Sequence, residues 1–229
     1  MTGAMPLIVT RPEPGNAATI KRARALGLDV YAVPLFAARA IDWQVPAAEN
    51  FESLLLTSAA AARLAGPDIA RLSSLPVYAV GAATARAAKV AGLTVAMAGS
   101  TNAQRLLDDM ASQNIRNILW LCGRNRSAFG SPGIAITPLP CYSVDPVSPP
   151  PLWSELIAAP ATLLAHSVRA ATRMSDLVGS ARDHLSLVAI SPAVAAAAGD
   201  GWRELAIAAQ PDDVAMLAQA HALWHKGAK

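Results

Sequence analysis

The stretch LLLTSAAAARL, residues 54–64, decides the fold, because it returns later in the chain as TLLAHSVRAATRM, residues 162–174. Each copy is a short apolar run that reaches a polar residue and then continues as an alanine-rich segment. Such a pattern indicates a buried strand that leads directly into a helix. Ser58 in the first copy corresponds to Ser167 in the second.

Two further pairs of segments continue this repeat in the same order. The pairs are VYAVGAATARAA (77–88) with LVAISPAVAAAA (187–198), and VAMAGSTNAQRLL (95–107) with LAIAAQPDDVAML (205–217). They place Gly81 over Ser191 and Asn102 over Asp212, so the spacing is nearly constant (167 − 58 = 109 and 212 − 102 = 110). Three consecutive matches in register indicate an internal duplication.

The opening segment also has a partner. VTRPEPGNAATIKRARALGLDVYAVPLF, residues 9–36, reads as a strand, a helix and a strand that stops at a proline. Its partner is ILWLCGRNRSAFGSPGIAITPLPCY, residues 118–142, where Arg124 corresponds to Arg11. The chain therefore reads as a βαβ piece followed by a βαβαβα piece, written twice. Alternating strands and helices predict an α/β protein with parallel sheets flanked by helices.

Ten strands and two amphipathic helices are predicted in detail. The strands are residues 7–10, 30–33, 53–57, 77–80, 94–98, 117–122, 134–137, 162–165, 186–190 and 205–208. Helical spacing places apolar residues on one face of each helix. The residues predicted to face inward are Leu106, Leu107 and Met110 after an Asn102 cap, and Val214, Leu217 and Ala218 after Asp212.

The duplication allows two assemblies. Each repeat could fold on itself, which would divide the chain near Gln113, or the pieces could exchange. The connecting segments 37–48 and 143–153 are extended in character, the second because its prolines restrict the residues before them. Both lie inside a repeat, which favours exchange and a paired hinge. We expect one α/β domain of residues 1–36 plus 147–229, and a second of residues 37–146 that includes the hinge strands.

Composition excludes several classes of protein. The arginines are scattered rather than gathered into the basic stripe that nucleic acid requires, although the net charge is +3. Cys122 and Cys141 show no metal or disulfide spacing, and no export signal or membrane span is evident, so we expect a cytoplasmic protein. His221 and His225 have the spacing of a metal-binding pair, but a solvated helix end is the simpler interpretation. GxGxxG and GxSxG motifs are absent.

Six short motifs, taken in their order and spacing, resemble the uroporphyrinogen-III synthase family. They are TRP at 10–12, LLLTSAAA at 54–61, VYAVGAATA at 77–85, CYSVDP at 141–146, and the AHS and AIS runs of the second half. The resemblance covers nearly the whole chain after Met5. It implies two α/β domains joined by a two-stranded ladder, with the exchanged connectivity and an open cleft between them.

The resemblance also implies an activity. The family cyclises hydroxymethylbilane, a linear tetrapyrrole with eight carboxylates, to uroporphyrinogen III, with loss of water and inversion of the last ring, and it uses no cofactor. We expect a monomer that contacts hydroxymethylbilane synthase transiently and binds neither nucleic acid nor membrane. The pyrrole nitrogen itself expels hydroxide, so the protein supplies a proton donor, a fixed substrate conformation and shielding from solvent.

Tyr142 matches the family tyrosine on the strand that leads into the hinge, which makes it the candidate proton donor. A phenol keeps its proton at neutral pH. Without the resemblance, Tyr142 reads as an ordinary strand aromatic. The candidate substrate-binding residues stand where strands end, and the serines and Thr84 have helix capping as an alternative role. They are Arg11, Ser58, Gly81, Thr84, Arg124, Ser167 and Ser191.

One departure from the family pattern affects this set. Ala193 and Val194 stand where many relatives carry threonines, so only Ser191 is carried over from that turn. Two other functions stay open at this point. Duplicated α/β halves with paired connectors also suit a non-catalytic hinge protein that closes on a small anionic ligand, although such proteins mostly work outside the cytoplasm. A degenerate, regulatory paralogue of the synthase would show the same spacing.

Overall fold

The computed structural model describes residues 5–99, 102–126 and 128–227, with side chains as far as Trp224. Contacts within these residues divide the chain into two units. Unit 1 takes the residues up to Ala37 and those from Pro146 onward, and unit 2 is Ala38–Asp145. Each unit has its own β-sheet and its own hydrophobic core.

The described elements alternate between strands and helices. The strands are β1 (Leu7–Val9), β2 (Val30–Ala32), β3 (Phe36–Ala40), β4 (Ser53–Leu56), β5 (Val77–Val80), β6 (Val95–Gly99), β7 (Asn117–Gly123), β8 (Ala135–Pro146), β9 (Thr162–Ala165), β10 (Ser186–Ala189) and β11 (Glu204–Ile207). The α-helices are α1 (Gly15–Ala25), α2 (Ala59–Leu64), α3 (Ala82–Val90), α4 (Ala103–Ser112), α5 (Leu152–Ile157), α6 (Val168–Val178), α7 (Pro192–Ala198) and α8 (Asp213–Gly227). Short 3₁₀ helices cover Ala48–Asn50, Pro67–Leu72 and Gly179–His184.

The sheet of unit 1 has the strand order β11-β10-β9-β1-β2. Every neighbouring pair in it is parallel, with Leu7 opposite Val30 on one side and Thr162 on the other. The opening strands therefore lie beside strands from the last third of the chain. This strand order is the exchanged arrangement and not a division near Gln113.

The sheet of unit 2 has the strand order β3-β8-β7-β4-β5-β6. Its strands β4, β5, β6, β7 and β8 pair in parallel. The chain enters unit 2 within β3 and leaves it at the end of β8, and these two strands are neighbours. The two strands expected at the hinge are therefore paired with each other.

Alternation along β4 shows how unit 2 builds its core. Leu54 and Leu56 face the helices α2 and α3, whereas Leu55 faces α4 and packs with Trp120. All three leucines are fully buried. Burying one such side chain stabilises a fold by about 1.5–3 kcal/mol relative to leaving it in water. A strand covered on both faces has to be apolar throughout, which explains the run of three leucines.

Most sequence-based predictions of the elements are confirmed, and three are wrong. Nine of the ten predicted strands agree within one residue at each end, but the strand predicted at 134–137 is only the start of the longer β8, and β3 was missed. The described residues between β7 and β8 contain no helix, because this segment carries Gly130, Pro132 and Gly133. The second opening piece is therefore a strand, a loop and a strand, not a βαβ piece.

The two amphipathic helices differ in outcome. In α4 the Asn102 side chain accepts a hydrogen bond from the Arg105 N–H (2.9 Å), and the predicted inward face is buried. In α8 the prediction of Val214 and Ala218 is wrong, since both are exposed. The buried face of α8 is instead Met216, Leu217, Ala220 and Leu223, which pack on the sheet of unit 1.

Candidate functional site

The candidate residues of unit 2 follow neighbouring parallel strands. Ser58 follows β4, Gly81 follows β5 and Arg124 follows β7, while Tyr142 lies within β8 opposite Gly123. The carboxyl ends of parallel strands meet at one edge of a sheet, which is where open α/β sheets bind ligands. We call these residues, with their immediate neighbours, the carboxyl edge of unit 2.

Tyr142 packs directly on the backbone of Gly123. A Cβ atom at residue 123 would lie 2.9 Å from Cζ of Tyr142, so a side chain there would displace the ring. The hydroxyl forms a hydrogen bond with the Ser58 side chain. Burial raises the pKa of the phenol and the Ser58 hydrogen bond opposes this, with a net increase. Tyr142 is therefore protonated at neutral pH, as a proton donor has to be.

The other candidates of unit 2 have structural roles that are now visible. Ser58 caps α2, since its Oγ accepts a hydrogen bond from the Ala60 N–H (3.2 Å). Gly81 precedes α3 with φ near +80°, a conformation that favours glycine, and its N–H donates to the Gly99 carbonyl (2.8 Å). This N–H is therefore not free for a ligand. Thr84 is buried within the first turns of α3.

Arg124 is tied to the strand that carries Tyr142. Its backbone N–H donates to the Tyr142 carbonyl (2.8 Å), and its exposed side chain lines a cavity of about 410 Å³. A smaller cavity of about 240 Å³ lies against Tyr142 itself, and it is lined by Arg126 rather than Arg124. The structure thus brings Ser58, Tyr142 and the backbone of Arg124 together.

The candidate residues of unit 1 also follow parallel strands. Arg11 comes after β1, Ser167 after β9 and Ser191 after β10, at the carboxyl edge of unit 1. Ser167 accepts a hydrogen bond from the Ala170 N–H (3.2 Å) and Ser191 from the Val194 N–H (3.4 Å). Both serines therefore cap helices, α6 and α7 respectively.

Arg11 belongs to a charged cluster centred on Asp213, a residue that the sequence did not single out. The Asp213 side chain is only 12% exposed. Its carboxylate accepts hydrogen bonds from the Thr19 hydroxyl (2.7 Å), Arg22 (2.8 Å), His166 Nε2 (3.0 Å) and Arg11 (3.4 Å). We call this group the Asp213 cluster, and it joins β1, α1, β9 and α8.

The electrostatics of this cluster favour a charged Asp213. Burial alone would raise the pKa of Asp213, but hydrogen bonds from His166 and Thr19 and the charges of His166 and Arg11 lower it far below its ordinary value. Because Asp213 accepts at Nε2, the proton of a neutral His166 sits on that nitrogen. The other ring nitrogen, Nδ1, is buried and has no hydrogen-bond partner among the described residues. The Arg11 side chain is paired with Asp213 and is therefore engaged within unit 1.

Several other predicted positions have plain outcomes. Val194, which replaces a family threonine, is buried, and Ala193 is exposed. Cys122 and Cys141 are buried free thiols, and burial raises the pKa of Cys141 to about 12. His221 stacks on Trp224, while the side chain of His225 lies outside the described residues.

The described residues contain neither a metal-binding cluster nor a membrane-spanning helix. Within residues 5–99, 102–126 and 128–227, no cluster of histidine, cysteine and acidic side chains has the arrangement of a metal site. None of the helices described there is long and apolar enough to cross a membrane.

Comparison with known proteins agrees with this architecture. A family model described as "Uroporphyrinogen-III synthase HemD" matches residues 17–218. The chain is similar to the crystal structure of uroporphyrinogen-III synthetase from Helicobacter pylori 26695, at 15% identity and a TM-score of 0.67, covering 96% of this chain and 99% of that one. It is also similar to a mutant uroporphyrinogen III synthase from Thermus thermophilus, at 15% identity and a TM-score of 0.52, covering 97% and 99%. No curated protein sequence matches the chain.

Proposed function

The chain belongs to the uroporphyrinogen-III synthase family, and we propose that it cyclises hydroxymethylbilane to uroporphyrinogen III, with loss of water and inversion of ring D. The observation that carries this proposal is the family match across residues 17–218. The family acts in porphyrin and haem biosynthesis. The geometry of unit 2 supports the reaction class, since it holds a protonated phenol at the edge where parallel strands end.

Tyr142 is the proton donor in this proposal. When the pyrrole nitrogen of the substrate expels hydroxide, the Tyr142 hydroxyl gives its proton to the departing oxygen, so that water leaves. The increased pKa keeps the phenol protonated throughout the neutral range, since the opposing hydrogen bond of Ser58 does not reverse the effect of burial. Holding the flexible chain in one conformation contributes the rest, because orientation alone lowers reaction barriers substantially.

The candidate binding residues occupy two carboxyl edges. Arg124, Ser58, Gly81 and Thr84 belong to unit 2, and Arg11, Ser167 and Ser191 to unit 1. We assign the arginine and serine side chains among them to carboxylates of the substrate, with arginine as the strongest partner because its fork matches a carboxylate, whereas Gly81 and the buried Thr84 shape the edge. Residues 1–36 plus 147–229 and residues 37–146 act as two domains in this proposal. The working protein is a cytoplasmic monomer that receives its unstable substrate through transient contact with hydroxymethylbilane synthase.

Analysis of the product isomer tests the function. Hydroxymethylbilane is generated in place by its own synthase, with and without this protein, and the products are oxidised and separated by chromatography. We expect type III product when the protein is present, and type I product, formed by spontaneous closure, when it is absent. Type I product alone at the spontaneous rate would contradict the activity and favour a degenerate paralogue.

Replacing Tyr142 by phenylalanine tests the proton donor. General acid catalysis contributes about 100-fold or more, so Tyr142→Phe should lower kcat by about 100-fold. The free energy of unfolding should change by about 1 kcal/mol, because only the hydrogen bond to Ser58 is lost. Tyr31→Phe, on β2 of unit 1, is the matched control and should leave kcat unchanged. A wild-type kcat for Tyr142→Phe would remove the donor role.

A further inference from the structure

The carboxyl edge of unit 2 contains two cavities that share a wall. The cavity of about 410 Å³ and the cavity of about 240 Å³ are both lined by Trp120, Arg126 and Phe129. The smaller one is also lined by Tyr142. A ligand group in this space would therefore touch the same aromatic and basic side chains while it lay beside the Tyr142 phenol.

The aromatic part of this wall is held in a fixed position. Trp120 is only 5% exposed, and its indole N–H donates to the Thr57 hydroxyl (3.1 Å). Phe129 packs on it edge to face, with ring centroids 4.5 Å apart. The indole therefore supports the half-buried Phe129 ring, and together they give both cavities an apolar aromatic wall, which suits contact with another aromatic ring.

Arg126 supplies a positive charge beside this surface. Its guanidinium lies 5.8 Å from the centre of the Trp120 ring, and its Nη1 donates only to the Arg124 carbonyl (3.2 Å). Of the carboxylates in the described part of the chain, none pairs with Arg126. Burial raises the pKa of the nearby Cys122 thiol, and the Arg126 charge opposes this increase. The positive charge of Arg126 therefore acts on a group that lines the smaller cavity.

The duplicated half of the chain shows why the space is open. The repeat places Thr57 over His166 and Ala103 over Asp213. In unit 1 the larger pair forms the centre of the Asp213 cluster. In unit 2 the smaller pair lines the cavity beside Tyr142. Among the residues that the structure describes, Arg126 therefore has no acidic neighbour comparable to Asp213.

We propose that Arg126 and the accessible part of the Trp120–Phe129 wall bind one carboxylated pyrrole ring of the substrate beside Tyr142, with the ring against the wall and a carboxylate on the guanidinium. This rests on the proposed function and deepens it, because it makes Arg126 a residue that distinguishes carboxylated rings from uncharged ones. Arg124, whose side chain lines only the larger cavity, is the secondary contact.

Substitution of Arg126 tests this site by kinetics. Loss of a hydrogen bond to a charged group weakens binding about tenfold or more, so Arg126→Gln should raise KM for hydroxymethylbilane at least tenfold. The value of kcat should stay within about twofold, since Tyr142 is untouched. Arg126→Lys keeps the charge without the planar fork and should recover part of the loss. Arg63→Gln, an exposed arginine on α2, is the matched control and should leave KM unchanged.

A binding measurement separates this site from the activity itself. Uroporphyrin III, a stable octacarboxylate, is titrated by its fluorescence into wild-type, Arg126→Gln and Arg63→Gln proteins. We expect about tenfold weaker binding for Arg126→Gln alone, even if the wild-type protein failed the isomer assay. Equal binding by all three proteins would overturn the site. A loss of unfolding free energy in Arg126→Gln would overturn it too, because it would assign Arg126 a structural role.

Discussion

The carboxyl edges of the two units began as copies of one another and now differ in chemistry. Where unit 1 has His166 and Asp213, unit 2 has Thr57 and Ala103 at the corresponding positions. His166 and Asp213 belong to a half-buried network of ion pairs, whereas Thr57 and Ala103 leave a cavity of about 240 Å³ beside Tyr142. In our proposal the first edge stabilises its unit and the second binds the ligand.

The Asp213 cluster explains how unit 1 holds a charge that is nearly buried. An unpaired carboxylate in such a place would cost several kcal/mol, which four hydrogen-bond donors offset. These donors come from the first helix and from the residues that follow β1 and β9, whereas Asp213 begins the last helix. The cluster therefore ties the two ends of the chain together within unit 1.

Disruption of the Asp213 cluster should change the stability of the protein more than any other substitution considered. Asp213→Asn removes the negative charge and leaves Arg11, Arg22 and His166 without their shared partner, so the free energy of unfolding should fall by about 3 kcal/mol. Urea denaturation measures the change. Asp68→Asn, which alters an exposed carboxylate in unit 2, is the control and should change stability by less than about 0.5 kcal/mol. A change below about 1 kcal/mol for Asp213→Asn would contradict the structural role.

Asp213 also makes the free energy of unfolding depend on pH, in the direction that its lowered pKa determines. The folded pKa of Asp213 is lowered, so its contribution to stability is complete above the ordinary aspartate pKa of about 3.9. The contribution is lost as the pH falls below that value toward the lower folded pKa. The stability difference between wild type and Asp213→Asn should therefore be constant from about pH 5 to 7 and shrink below about pH 4. A difference that stayed constant in acid would contradict the assignment.

A smaller effect is expected when the cavity of unit 2 is filled. Ala103→Leu fills the cavity that unit 2 keeps open, and it should raise KM for hydroxymethylbilane by about tenfold, or about 1.4 kcal/mol. Stability should change by less than about 1 kcal/mol, because Ala103 is half-buried and leucine is a good helix former. Ala83→Leu, at an exposed position of α3, is the control. An unchanged KM for Ala103→Leu would show that the cavity is not used.

The internal repeat predicts the buried face of α8 better than the local periodicity of its apolar residues does. Reading α8 alone predicted Val214 and Ala218 on the inner face, and both are exposed. The repeat instead places Leu106 over Met216, Leu107 over Leu217 and Met110 over Ala220, and all of these residues are buried. Alanine-rich helices have weak amphipathic contrast, so their orientation follows from packing more than from pattern.

The site was less visible than the fold. The TRP motif indicates Arg11, but nothing local marks Asp213 as its partner, because these residues are about 200 positions apart and meet only when α8 packs on the sheet of unit 1. The sequence repeat favours Arg124 over Arg126 as a binding residue, because Arg124 aligns with Arg11. The sequence around β7 did carry one usable signal, since two arginines and an aromatic follow a buried strand that contains Trp120. Which arginine lines the smaller cavity depends on the loop geometry.

The most direct test of the account is the footprint of an acidic tetrapyrrole on the wild-type protein, measured by amide hydrogen exchange. The central claim is that the open carboxyl edge of unit 2 holds the ligand beside Tyr142. Saturating uroporphyrin III should slow exchange in residues 120–126 and 139–143, which carry the shared wall and the phenol. Unchanged exchange in both segments, with protection elsewhere or nowhere, would contradict that claim.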